Sequence, residues 1–144
     1  MSGSVPASVQ IVWAGDGRFD AGPAGSPTIR IDTSKATGPG PVDTLLCALG
    51  SCAAVDVVEI LAKRRTPVQS LSVNVQAERV DATPRRLARA TLNFVISGEG
   101  IERAHAERAV ELSVTKYCSV RDSIRSDVPV DWTLSLNGED TAAE

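Results

Sequence analysis

Residues 49–61 read LGSCAAVDVVEIL, one thiol among glycine, serine and alanine at the head of an aliphatic run. Read outward, the run belongs to a helix predicted from about Val42 to Arg64. Pro41 stands just before it, where a missing N–H costs little. Asp43 falls in the first turn, where the helix dipole favours a negative charge. Lys63, Arg64 and Arg65, followed by Pro67, make the stop. Leu45, Leu46, Ala48, Leu49, Cys52, Ala53, Val55, Val57, Val58, Ile60 and Leu61 cover most of the circumference, and only Asp56, Glu59 and Lys63 form a polar stripe. A helix so apolar is buried on nearly all sides. The strands of one chain cover one side of it, and the other side calls for a second copy. The sequence therefore predicts a homodimer with this helix at its centre.

The flanking segments are β-rich. Val9 to Trp13 reads as a strand, followed by the turn-rich AGDGRFDAGPAGSP with Asp16-Gly17 as the hairpin turn. Thr28 to Asp32 is β-branched and reads as another strand, so two or three short strands fill the first 33 residues. After the helix, Leu71, Val73, Val75 and Ala77 alternate with polar residues. Across the turn DATPRR, Ala90, Leu92, Phe94 and Ile96 do the same, which is a long antiparallel hairpin with one buried face. A second helix is expected from about Ile101 to Tyr117, on the spacing of Ile101, Ala104, Val110, Val114 and Tyr117. SVRDSI then reads as a further helical turn or two. Val128, Val130, Trp132, Leu134 and Leu136 alternate as a last strand. Residues 1–8 and 138–144 are expected to be flexible. The order β-β-(β)-α-β-β-α-β describes an α+β protein, and its 144 residues suit a single domain spanning 1–144.

A net charge of −3 argues against a nucleic-acid partner and against a polybasic membrane anchor. Gly50, Ser51, Asp56 and Glu59 interrupt the longest apolar stretch, which makes it a poor membrane span. No signal peptide is legible, so the expected compartment is the cytoplasm.

His105 has no histidine partner, and Cys47, Cys52 and Cys118 form no C-x-x-C pair, so no metal site is expected. There is no phosphate loop, dinucleotide fingerprint or nucleophile elbow. His105, beside Glu102, Arg103, Glu107 and Arg108, reads as a solvated surface residue. Cys47 and Cys52 lie about 140° apart around one helix and cannot pair. Cys47, among leucines, reads as core filling. The small residues around Cys52 leave room for a substrate, or equally for close helix packing. Cys118 lies where a helix begins, and unpaired N–H groups there lower a thiol's pKa. Arg121, one turn on, would add to this. Residue types alone leave the roles of the two cysteines open.

LGSCAAVDVVEILAKRR (49–65), ERVDATPRRLARATLNFVISG (78–98) and RAVELSVTKYCSVRDSI (108–124) resemble segments of the OsmC/Ohr family, in its OsmC-like (YhfA-type) branch. The likeness runs from about Pro39 to Ile124. It implies a β-β-β-α-β-β-α-β fold, an intertwined homodimer whose long central helices are wrapped by antiparallel sheets, with active sites at the subunit interface. It implies a thiol-dependent peroxidase for organic hydroperoxides. Cys52 would be the peroxidatic thiol and Cys118 the resolving one, with an external dithiol reductant and no metal or bound organic cofactor. In the best-studied peroxidases a glutamate ten residues before the first cysteine orients an arginine from the N-terminal hairpin. Here that position holds Val42. Asp43 is the candidate substitute and Arg18 the candidate arginine. The alternatives are a binding protein for a small apolar ligand and a redox sensor, each with little turnover.

Overall fold

The computed structural model describes residues 3–140. They fall into two compact units, Met1–Leu45 and Leu46–Glu144. The first is a three-stranded antiparallel sheet of β1 (Gln10–Trp13), β2 (Arg18–Gly22) and β3 (Ile29–Asp32), in that order. Strand β2 lies inside the stretch whose turn formers dominate the sequence. In the β1–β2 hairpin the residues at positive φ are Gly15 and Asp16, rather than the Asp16-Gly17 pair expected. Gly17 has another task. A Cβ there would stand 1.8 Å from the Thr33 hydroxyl oxygen, and Thr33 donates its N–H to the Gly17 carbonyl. Beyond β3 the loop folds around Asp32. Its buried carboxylate accepts from the N–H and hydroxyl groups of Ser34 and Thr37, at 2.7–2.9 Å. Those four donors hold the acid far below the usual carboxylate range.

Helix α1 (Pro41–Lys63) starts in the first unit. Pro41 is its first residue, the position proline favours. Asp43 reaches back to accept the Gly40 N–H at 3.0 Å, the return half of a capping box. Its carboxylate also meets Lys35 Nζ at 3.0 Å.

The second unit contains the core. Strands β4 (Ser70–Arg79) and β5 (Leu87–Ser97) form the expected hairpin, with Leu71 opposite Ile96, Val73 opposite Phe94, Val75 opposite Leu92 and Ala77 opposite Ala90. Strand β6 (Val130–Leu136) extends each row, Phe94 facing Leu134 and Leu92 facing Trp132. It runs parallel to β5, so this sheet is mixed and not antiparallel throughout. The chain leaves the end of β5 and returns to its start through a helical crossover, which a parallel pair requires. Alternating side chains look the same in either direction.

The crossover is α2 (Arg103–Leu112), a π-helical turn over Ser113–Tyr117, and α3 (Ser119–Ser123). The single helix expected over 101–117 is thus interrupted. Its buried face is Ala106, Ala109, Val110, Ser113 and Val114, whereas Ala104 and Tyr117 are exposed. The chain also continues past the last expected strand. Asn137 and Gly138, both at positive φ, make the two-residue turn into β7 (Glu139–Asp140). The flexible tail expected from 138 therefore begins in a hairpin, and residues 141–144 lie outside the described residues. Residues 3–8 have no regular structure; the rest of that N-terminal expectation falls on 1–2, also outside.

One face of α1, formed by Leu49, Gly50, Ala53, Val57 and Leu61, is buried in this core. A Cβ on Gly50 would lie 2.9 Å from a Val75 methyl, so glycine lets the helix settle against β4. The other face, with Leu45, Cys47, Val55 and Val58, is exposed on the chain. By length and composition α1 would also suit a membrane span. Burial of its Leu49–Leu61 face against the β4–β5 sheet is the packing of a core helix.

A candidate thiol site

Cys52 lies on α1, two residues past Gly50 and beside fully buried Ala53. It is partly buried and packs against the cluster that contains Cys118. Cys118 is the residue between the π-helical turn and α3, in an extended conformation, and is 3% exposed. Its sulfur caps α3 by accepting the Arg121 N–H at 3.3 Å, and its S–H lies 3.9 Å from the Leu49 carbonyl oxygen. The structure places both thiols in one cluster, near enough for Cys52 to act on Cys118.

The N–H groups at the start of α3 pull the Cys118 pKa down as expected, but they are outweighed. Burial pushes this thiol up, and that is the largest influence on it. The Arg121 N–H pulls the other way. The nearby Cys52 pushes it up again. Taking a thiolate out of water costs more here than one N–H returns. Burial thus favours the protonated form of Cys118.

The remaining candidates have other partners. Arg121 supports Cys118 through its backbone, while its guanidinium donates to the carbonyls of Val128 at 2.8 Å and Arg125 at 3.3 Å. It lines a 290 Å³ groove with Val114, Thr115, Ile124 and Val130. Arg18 and Asp43 belong to the first unit. Arg18 turns back on its own hairpin, toward the Gly15 carbonyl at 3.4 Å and the Asp16 carboxylate at 3.6 Å. Asp43 is engaged with Gly40 and Lys35. Cys47 is exposed on the chain rather than filling a core, because it lies on the face of α1 opposite the sheet. His105 is bound to Arg64 at 2.6 Å and Glu102 at 3.4 Å. Among the described residues no group of three His, Cys, Asp or Glu side chains is placed to hold a metal.

Two partners of Cys118 escape a reading of residue types because they are main-chain groups, the Leu49 carbonyl and the Arg121 N–H. Asp32 was legible in principle. An aspartate followed by serine and threonine at short spacing is a turn signature.

Comparison with known proteins places this geometry in context. The family model described as OsmC-like protein matches residues 33–133. The protein YhfA of Escherichia coli K12 is 37% identical over 97 residues, which cover 67% of this chain and 72% of that relative. A hypothetical protein from Aquifex aeolicus VF5 superposes with a TM-score of 0.78 at 25% identity, over 93% of this chain and 99% of its own. The organic hydroperoxide resistance protein OhrB of Bacillus subtilis shares the fold, with a TM-score of 0.59 at 14% identity over 91% of this chain and 98% of its own.

Proposed function

The chain belongs to the OsmC-like protein family, and from that premise we propose that it reduces organic hydroperoxides, with Cys52 as the attacking thiolate and Cys118 as the resolving thiol. The observation that carries this reading is the packing of Cys52, partly open, against the buried cluster that contains Cys118. The fold shared with a hydroperoxide resistance protein supports it.

The Cys52 thiolate attacks one peroxide oxygen, the O–O bond breaks, and the alkoxide leaves as an alcohol after taking a proton. Cys52 becomes a sulfenic acid. Cys118 then gives up its proton and attacks the Cys52 sulfur. The S–O bond breaks, water leaves, and a disulfide remains. An external dithiol supplies two electrons and two protons to restore both thiols. No metal or organic cofactor enters the cycle. A reducing cytoplasm is the setting it needs. The apolar cluster against which Cys52 packs favours organic over hydrogen peroxide.

The working form in this reading is a homodimer. The outward face of α1 carries Leu45, Val55 and Val58, and β1 is exposed along its length, Ile11 at 58% and Trp13 at 66%. Apolar surface of this extent on two elements is the mark of an interface.

A second reading draws support from Val42, which stands where a glutamate would orient an arginine, and from the Arg121 guanidinium, which is given to carbonyls. Without a cation at the leaving oxygen the same fold would hold a small apolar ligand or sense oxidants, with little turnover. One experiment separates the two. The reduced protein is treated with cumene hydroperoxide and a dithiol, and peroxide loss is followed. The peroxidase reading expects turnover that Cys52→Ser reduces to the uncatalysed background. Equal consumption by the variant and the parent sinks it.

A further inference from the structure

We infer that the π-helical turn Ser113–Tyr117, held by the hydroxyls of Ser113 and Thr115, is the device that presents Cys118 to Cys52, which makes these two hydroxyl residues positioning residues for disulfide formation.

The argument starts from the buried face of α2. Ala106, Ala109, Val110, Ser113 and Val114 define it. In an uninterrupted α-helix each residue turns about 100°, so Tyr117 would fall about 20° from Ala106, at the centre of that face, and Cys118 about 120° away. The structure shows the reverse. Tyr117 is 49% exposed and Cys118 is buried. A π-helical turn absorbs one extra residue, and that one-residue slip carries the tyrosine out and brings the cysteine in. Without it the sequence would place a phenol, not a thiol, against the core.

A widened turn has to be held against reversion to the α-helical pattern. Two hydroxyls reach back four residues to do so. Ser113 Oγ, fully buried, donates to the Ala109 carbonyl at 2.7 Å, and Thr115 Oγ1 donates to the Glu111 carbonyl at 2.6 Å. Such back-bonding bends helices, and at Ala109 the hydroxyl shares the carbonyl with the Ser113 N–H, which is itself divided between Ala109 and Val110. Ser113 is a hydroxyl in an otherwise apolar row, a choice the core itself does not require. At the far end of the turn Cys118 leaves the helical conformation, caps α3, and directs its sulfur to the Leu49 carbonyl, one helical turn from Cys52 on α1.

The inference deepens the peroxidase reading, and its test has one arm independent of peroxide. The variants are Ser113→Ala with Thr115→Val, the restoring Thr115→Ser, and a deletion of Lys116 that removes the extra residue. In a glutathione redox buffer the Cys52–Cys118 disulfide is counted by mass spectrometry. With cumene hydroperoxide, dimedone trapping reports the Cys52 sulfenic acid. The double variant and the deletion should form the disulfide at least about tenfold less readily, since small misplacements of reacting atoms are costly. Cys52 should be sulfenylated at the parental rate, and Thr115→Ser should behave as the parent. If the deletion does not fold by circular dichroism, the double variant decides. Parental disulfide formation in the folded double variant overturns the inference, as does a parent that forms no Cys52–Cys118 disulfide in either medium. A parent inert to peroxide but forming the disulfide in glutathione removes the peroxidase reading alone, and the glutathione arm still decides the inference.

Discussion

The two sulfurs differ in what surrounds them, and in the proposed cycle this difference sets the order of chemistry. Cys118 is enclosed, so its thiol is pushed up, chiefly by burial. When Cys52 has become a neutral sulfenic acid its charge no longer acts on Cys118, but burial still does. Resolution then depends on the small thiolate fraction of Cys118. Its rate should rise about tenfold per pH unit while the pH stays below that raised pKa. Stopped-flow measurement after a single peroxide pulse checks this, and a rate flat between about pH 6 and 8 contradicts it. The linked effect on stability has a fixed sign. A thiol whose folded pKa lies above its unfolded value of 9.0 adds stability below that value and loses it as the pH rises through the folded pKa. Asp32 has the opposite sign. Its contribution is present above the ordinary carboxylate value of 3.8 and is lost as the pH falls toward its depressed pKa.

At the scale of elements, α1 is fitted to the sheet by what it lacks. Gly50→Ala gains about 1 kcal/mol of helix propensity. The added methyl would meet Val75 at 2.9 Å, and this branched side chain has few rotamers to yield with. Overpacking costs about 1–3 kcal/mol, so the net effect is a loss of about 1 kcal/mol. Thermal unfolding should show a melting point lowered by a few degrees; a raised one would mean that the sheet gives way. The elements themselves were largely legible. The α1 helix and the β4–β5 hairpin followed from periodicity and punctuation, and the buried row Ala90, Leu92, Phe94, Ile96 is the one expected. What periodicity did not carry was strand direction at β6 and the slip at Ser113–Tyr117. In the second case a regular 3.6-residue reading selects Tyr117, and hydroxyl back-bonds invisible in a residue pattern select Cys118. The Asn137-Gly138 hairpin, by contrast, was written in the sequence as a strong local turn signal and lay in a stretch read as tail. Of the site, both cysteines were legible as thiols, but their nearness depends on a helical crossover that no spacing rule measures.

For the molecule as a whole, the first unit is the informative one. Its three strands bury little beyond Ala21 and Asp32, and a small isolated sheet of this kind is marginal in water. On α1, Val55 is 51% exposed on a helix whose composition belongs in a core. The proposed homodimer covers both with a second copy of the chain. Light scattering should give twice the monomer mass at micromolar concentration. Val55→Asp together with Val58→Glu should shift it toward the monomer, because unpaired charges buried at an interface are costly. A parent of monomer mass contradicts the dimer.

The parallel pairing of β5 with β6 also bears on how the chain arrives at its active form. Strands β4 and β5 close through a local turn, whereas β6 finds β5 only after the whole crossover from Gly98 to Pro129 has been gathered in. Contacts between distant residues form slowly, since the entropy of closing the loop is lost before the pairing rewards it. Cys118 lies within that crossover, whereas Cys52 on α1 lies outside it. Under the proposed two-cysteine cycle, a newly made chain passes through a period in which Cys52 meets oxidants before Cys118 is in place to resolve it, and it is most exposed to irreversible over-oxidation before it has finished folding.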